Sequence, residues 1–196
     1  MTSLPAIGHG ARVLLQATAL AFAASEVSIR IRSGRHAGGS SLDRGSIVAV
    51  VLGIGAGVLT AAWCAVALPG AAIPGGWLPL VVGVVLMWLG IALRQWAVVA
   101  LGTFFTVMVQ VTSDQHVVDR GPYRWVRHPS YTGLLLTLVG LGTALGNWLS
   151  LVALAMLPTA GLVIRIRVEE AALESALGEP YRSFAEHRRR LIPGLW

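Results

Sequence analysis

Long apolar runs alternate along this chain with short connections that carry most of its arginines. The first run covers 12–31, the second 46–68, and the third 77–101. At 1.5 Å rise per residue, about 20 residues cross a 30 Å hydrocarbon core, so each run predicts a transmembrane helix. A fourth run, 134–164, is too long for one helix and short for two full spans. Gly146-Asn147 interrupts it near the middle, which predicts a tight hairpin of two helices, the second bent at Pro158. The expected fold is all-α: an integral membrane bundle of about five transmembrane helices with a short cytoplasmic C-terminal helical extension. It divides into two N-terminal helices with a basic loop, 1–76, and a core with the hairpin and tail, 77–196.

The first run contains Ala21-Phe22-Ala23, a small-residue pattern like that of a signal-peptide cleavage site. The apolar stretch nevertheless continues through Val27 and Ile29, and arginines cluster after it. It therefore reads as a retained helix. Glu26 lies inside this run, where an acid should face protein rather than lipid. Arg30, four residues on, is its expected partner.

The connections carry their own signals. In the glycine- and serine-bearing loop 30–44, Asp43 is placed to cap the second helix. The turn 69–76 has no charge, and Trp77 anchors the third span at an interface. Arg94 near the end of that span either snorkels to headgroups or faces a polar site within the bundle. Residues 102–120 mix apolar and polar positions and suit a membrane-surface segment. Gly178 followed by Pro180 stops one helix and starts another, with Tyr181 and Phe184 on one face. Arg188, Arg189 and Arg190 are expected to reach anionic headgroups.

Only 12% of the residues are charged, half the roughly 25% of a soluble domain. All fifteen basic residues are arginine, and the net charge is +6. Their place in short loops between apolar runs excludes nucleic acid as the partner and favours membrane lipids. With an external N-terminus, thirteen arginines fall on the inner side: four in 30–44, three in 120–127 and six from 165 onward. Only Arg12 falls outside. This bias predicts that residues 121–133 and the tail both face the cytoplasm, and the composition suggests a bacterial cytoplasmic membrane. The single Cys64 lies in an apolar run, so no disulfide framework and no cysteine metal cluster is expected, and no metal site is assigned.

The chemistry centres on 121–133, GPYRWVRHPSYTG, at the mouth of the hairpin. Pro129 suits the first turn of a helix and keeps His128 extended. Helix amides would then point toward Arg124, Arg127 and His128 as an anion site. Beyond the hairpin, Glu169 and Glu170 lie between Arg165, Arg167 and the tail. A basic pole, an acidic pole and nearby tyrosines would suit a ligand with carboxylate, ammonium and a further cationic group. S-adenosylmethionine is one such ligand among several. The alternative is that Arg165 pairs with Glu169 and Arg167 with Glu170 along one helix.

These pieces resemble the isoprenylcysteine carboxyl methyltransferase family, within the wider group that includes phospholipid N-methyltransferases. The matching residues are Arg94, His116-Val117-Val118, Gly121-Pro122-Tyr123 and RHPSYTG from Arg127 to Gly133. They continue with Arg165, Glu169-Glu170, Leu173, Gly178, Tyr181 and Pro193. The resemblance implies S-adenosyl-L-methionine as cofactor. It makes His116, Tyr123, His128, Pro129, Tyr131, Gly133, Glu169 and Glu170 the cofactor-binding candidates. It makes Arg94, Arg165 and Arg167 candidates for holding the carboxylate of a lipid-tailed acceptor. The implied reaction is carboxyl O-methylation of a prenylcysteine-like or other lipid-tailed acid. N-methylation of a phospholipid amine is the alternative, and it would need a base such as His116 or His128. A His-Pro-x-Tyr-x-Gly segment also occurs in NADPH-dependent sterol reductases, but Ser130 and Leu134 depart from that pattern. A non-catalytic membrane protein is the remaining reading.

Overall fold

The computed structural model describes residues 8–34, 45–105, 116–192, 194 and 196. Asp43, expected as a helix cap, lies outside them, and Gly45 with φ 76° occupies the cap position of the second helix. Among the described residues six α-helices follow one another: α1 (His9–Gly34), α2 (Ser46–Ala67), α3 (Leu78–Leu101), α4 (Pro129–Ala144), α5 (Trp148–Leu177) and α6 (Glu179–Glu186). Two isolated bridges are the only β pairing among the described residues. The chain is an all-α integral membrane protein. Helices α1, α2, α3 and α5 are long and apolar enough to cross a bilayer. Helix α4 has 16 residues, so it rises about 24 Å and is the short arm of the hairpin.

Glycines decide which helices touch. A Cβ on Gly90 would lie 2.6 Å from the Gly133 carbonyl oxygen, and one on Gly140 would lie 2.7 Å from the Met87 amide nitrogen. The pairs Gly83/Gly90 and Gly133/Gly140 therefore let α3 and α4 meet backbone to backbone, antiparallel. Helices α2 and α5 meet in the same way. A Cβ on Gly53 would lie 2.6 Å from the Leu157 oxygen, and Gly161 sits against Ala49. Pro158 stays inside the continuous α5 and packs its ring against Gly57. Leu134, Leu138, Leu154 and Leu162 fill the centre with Val50, Ala61 and Ala153, and Phe22 of α1 packs on this core.

The two ends of the bundle differ in chemistry. At one end Asn147 joins the start of α5 to the end of α2. Its Oδ1 accepts from the amides of Leu149 and Ser150, and its Nδ2 donates to the Leu68 carbonyl at 2.9 Å. The other end gathers the last turns of α1, α3 and α5 with the first turns of α2 and α4. The polar and charged groups collect there.

Candidate active site

Pro129 opens α4 as expected, with His128 at the cap position. The main chain just before it gains partners that the sequence did not reveal. The Arg127 amide donates to the Arg189 carbonyl at 2.8 Å, and the His128 amide donates to the Arg190 carbonyl at 2.9 Å. Thr132 Oγ1 donates to the Leu191 carbonyl at 2.8 Å. The segment after α6 thus docks as a strap along 126–132.

Glu170 of α5 points into this junction. Arg127 Nη1 lies 2.8 Å from its Oε1, and His128 Nε2 lies 3.2 Å from the same atom. Arg190 Nε and Nη2 both reach its Oε2 at 2.9 Å. The tail arginines therefore correct the headgroup expectation. Arg190 turns inward onto Glu170, and Arg188 pairs with Asp119 at 2.7 Å over the Phe184 ring. Arg189 is exposed. Three consecutive arginines look alike as charges, and only the backbone pairing of the strap separates them.

Next along α5, Glu169 accepts the Tyr131 hydroxyl at 2.6 Å. Arg165 Nε donates to the same tyrosine oxygen at 3.2 Å, and its Nη1 donates to Ser46 Oγ at 2.9 Å. The His128 and Tyr131 rings stack with centroids 5.6 Å apart. The intrahelical pairs Arg165–Glu169 and Arg167–Glu170 are thus not what holds these acids. Arg167 is exposed. Tyr123 and Tyr181 are buried beside the acids. Burial first, then the Glu169 charge, pushes the Tyr123 hydroxyl pKa up. Burial, then Glu170 and Glu169, does the same for Tyr181. Both hydroxyls stay neutral.

Two polar atoms in this region are buried without a hydrogen bond: Arg127 Nε and the Tyr181 hydroxyl. They lie near each other, and the Arg127 charge opposes part of the rise in the Tyr181 pKa. Unpaired buried polar atoms are costly, so their presence in a cluster marks a place for a polar ligand.

A second polar site lies deeper between α1 and α3. Arg94 is only 8% exposed, so it does not snorkel. Its Nε and Nη2 both reach the Glu26 carboxylate, the latter at 2.8 Å, and its Nη1 donates to Ser130 Oγ at 2.9 Å. The expected Glu26–Arg30 pair is therefore replaced by a pair across helices, with Arg30 exposed. Gln95 extends the contact by donating to Ser25 Oγ at 2.7 Å. The remaining sequence candidates are placed elsewhere. Gly133 is where α4 crosses Arg94, since a Cβ there would lie 2.7 Å from the Arg94 amide nitrogen. His116 is exposed and packs edge-on against Phe104. Arg124 is exposed, so it does not join an anion site. No group of His, Cys, Asp and Glu among the described residues could hold a metal ion.

The isoprenylcysteine carboxyl methyltransferase family model matches residues 81–175, a stretch that includes Arg94, the 121–133 motif and both glutamates. Over that stretch the chain is similar to the isoprenylcysteine carboxyl methyltransferase family. It is 36% identical over 119 residues to a probable protein-S-isoprenylcysteine O-methyltransferase of Oryza sativa subsp. indica, covering 60% of this chain and 62% of that relative. It is 35% identical over 117 residues to the protein-S-isoprenylcysteine O-methyltransferase of Xenopus laevis, of which it covers 40%. Its fold is similar to the solved structure of the eukaryotic intramembrane Ras methyltransferase isoprenylcysteine carboxyl methyltransferase. The TM-score is 0.58 at 28% identity, over 74% of this chain and 52% of that one. The chain thus spans only part of the length of the relatives it matches. Helix α1, with Glu26, lies outside the matched residues.

Proposed function

We propose that this chain is an S-adenosylmethionine-dependent membrane methyltransferase that esterifies the carboxylate of a lipid-tailed acid, prenylcysteine-like in kind. The observation that carries this reading is the meeting of His128 and Tyr131 with Glu170 and Glu169 at one end of the bundle, beside the unpaired Arg127 Nε and Tyr181 hydroxyl. The cofactor fits the donor set there. Arg127 and Arg190 would take its carboxylate, and the two glutamates would take its cationic groups. Tyr181 and Arg127 would gain the hydrogen bonds they lack.

S-adenosylmethionine, when bound, supplies a methyl group that passes to a carboxylate oxygen while the S–CH₃ electron pair stays on sulfur as a neutral thioether. The chain's residues then have positioning work to do. A carboxylate with a pKa near 4 is already ionised at neutral pH, so no side chain must remove a proton. This agrees with a cluster whose histidine is already bonded to Glu170. Arg94 and Arg165 are buried on the bundle side of the cluster, where either guanidinium would hold the acceptor carboxylate. Holding both partners aligned and dry can contribute about 7–11 kcal/mol of barrier lowering. The site would face the cytoplasm, the side to which the arginine bias assigns this end.

The deciding experiment incubates the detergent-purified protein with methyl-labelled S-adenosylmethionine and a total lipid extract. An alkali-labile methyl ester is expected. An alkali-stable methylamine would transfer the assignment to amine methylation, and absence of labelled lipid would overturn the reading.

A further inference from the structure

Arg94 is the buried cation that the proposed reading offers to an acceptor carboxylate, yet its guanidinium is already filled. Glu26 takes Nε and Nη2 in a two-pronged pair, and Ser130 takes Nη1. The occupying carboxylate comes from α1, which joins the bundle through Phe22, Ile29 and a set of polar contacts. Ser25 and Ser28 meet Gln95, and Ile29 is its one large buried hydrophobic residue among those described. Leu20, Val27 and Ile31 of α1 face outward. Glu26 itself remains a quarter exposed on its side chain while Arg94 is 10% exposed. The acid is thus the accessible, movable half of the pair.

We propose that Glu26 is an internal surrogate for the acceptor's carboxylate: it holds Arg94 until a lipid acid exchanges for it, and so restricts acceptors to anions. The inference rests on the reading of the acceptor as a lipid acid. Removing a partner from a buried guanidinium is costly, whereas swapping one carboxylate for another keeps it paired. A neutral or amine head offers Arg94 nothing in exchange for Glu26. The contact therefore selects by charge, and it keeps the arginine neutralised when no acceptor is present. Outward movement of α1 would also open the side of the bundle through which a lipid tail enters.

The test measures equilibrium binding of a radiolabelled S-farnesyl thioether acid and its methyl ester to the detergent-purified full chain, without any methyl transfer. The wild type should prefer the acid. Glu26→Gln should tighten acid binding about tenfold, because Arg94 no longer has a competing occupant, and leave the ester unmoved. Gln95→Leu loosens α1 without touching Arg94 and should shift acid binding the same way by about threefold. It serves if the Glu26 variant does not fold. An acid-to-ester ratio that stays constant in both variants, or a loss of both ligands together, overturns the surrogate role and leaves Glu26 a structural partner of Arg94. Calorimetric titration with S-adenosylmethionine runs alongside. Absent donor binding with a Glu26-dependent acid preference would sink the methyl-donor reading and support this proposal. Intact donor binding with no acid preference would do the reverse.

Discussion

Glu170 offsets two guanidinium groups and an imidazole at once, since Arg127, His128 and Arg190 all converge on it. Glu170→Gln would leave the Arg127 and Arg190 guanidinium groups facing each other in a half-dry pocket. Breaking such a pair costs about 3 kcal/mol. Thermal unfolding in detergent should show that loss, and calorimetry should show S-adenosylmethionine binding weakened by at least about tenfold. Tyr181 predicts the opposite balance. Its hydroxyl is buried and unpaired, so Tyr181→Phe should stabilise the ligand-free protein by about 1 kcal/mol while weakening cofactor binding. The same residue sets a pH dependence. Burial and the neighbouring acids raise its pKa, so the folded state favours the neutral phenol. That stability is complete below the unfolded value of about 10 and is lost as pH climbs toward the folded one. With no lysine in the chain, few other groups titrate there. The alkaline fall in melting temperature should therefore be shallower in Tyr181→Phe. Of the site, the motif residues His128, Tyr131, Glu169 and Glu170 were legible from the chain. Arg190 and Glu26 were not, because each looks like an ordinary charge until the fold supplies its partner.

Between elements, the legible and the hidden divide along a physical line. Helix positions follow from apolar length, and the stop at Gly178 follows from its φ of 60°, which favours glycine. Pairing of helices depends on where backbones can approach. Gly83, Gly90, Gly133 and Gly140 mark that seam, but they are four of 23 glycines and carry no local signal. Gly133→Ala should cost about 1–3 kcal/mol or more, because its Cβ meets the Arg94 backbone rather than a flexible side chain. The change would also displace Ser130 from Arg94, so binding should fail with it. Gly55→Ala is the matched control, since its Cβ meets nothing within 4 Å and its effect should be neutral or slightly stabilising. Melting curves of the two variants side by side check the seam.

At the scale of the molecule, one end is arginine-rich and the other carries the uncharged turn before Trp77. The charge bias predicts that the rich end stays in the cytoplasm. Cys64 is buried, so introduced cysteines give a clean readout. An impermeant maleimide on intact cells should label Gly76→Cys and spare Arg189→Cys. Reversed labelling would put the site on the outer face, away from the cell's supply of methyl donor. The strap described above adds a consequence for biogenesis. Chains leave the ribosome from the N-terminus onward, so α4 reaches the bilayer long before residues 189 and 190 are made. Until those two carbonyls arrive, the amides of Arg127 and His128 have no main-chain acceptor and Glu170 lacks one of its cations. A nascent chain halted short of Arg189 would thus be inserted with its Arg127, His128 and Glu170 cluster incomplete.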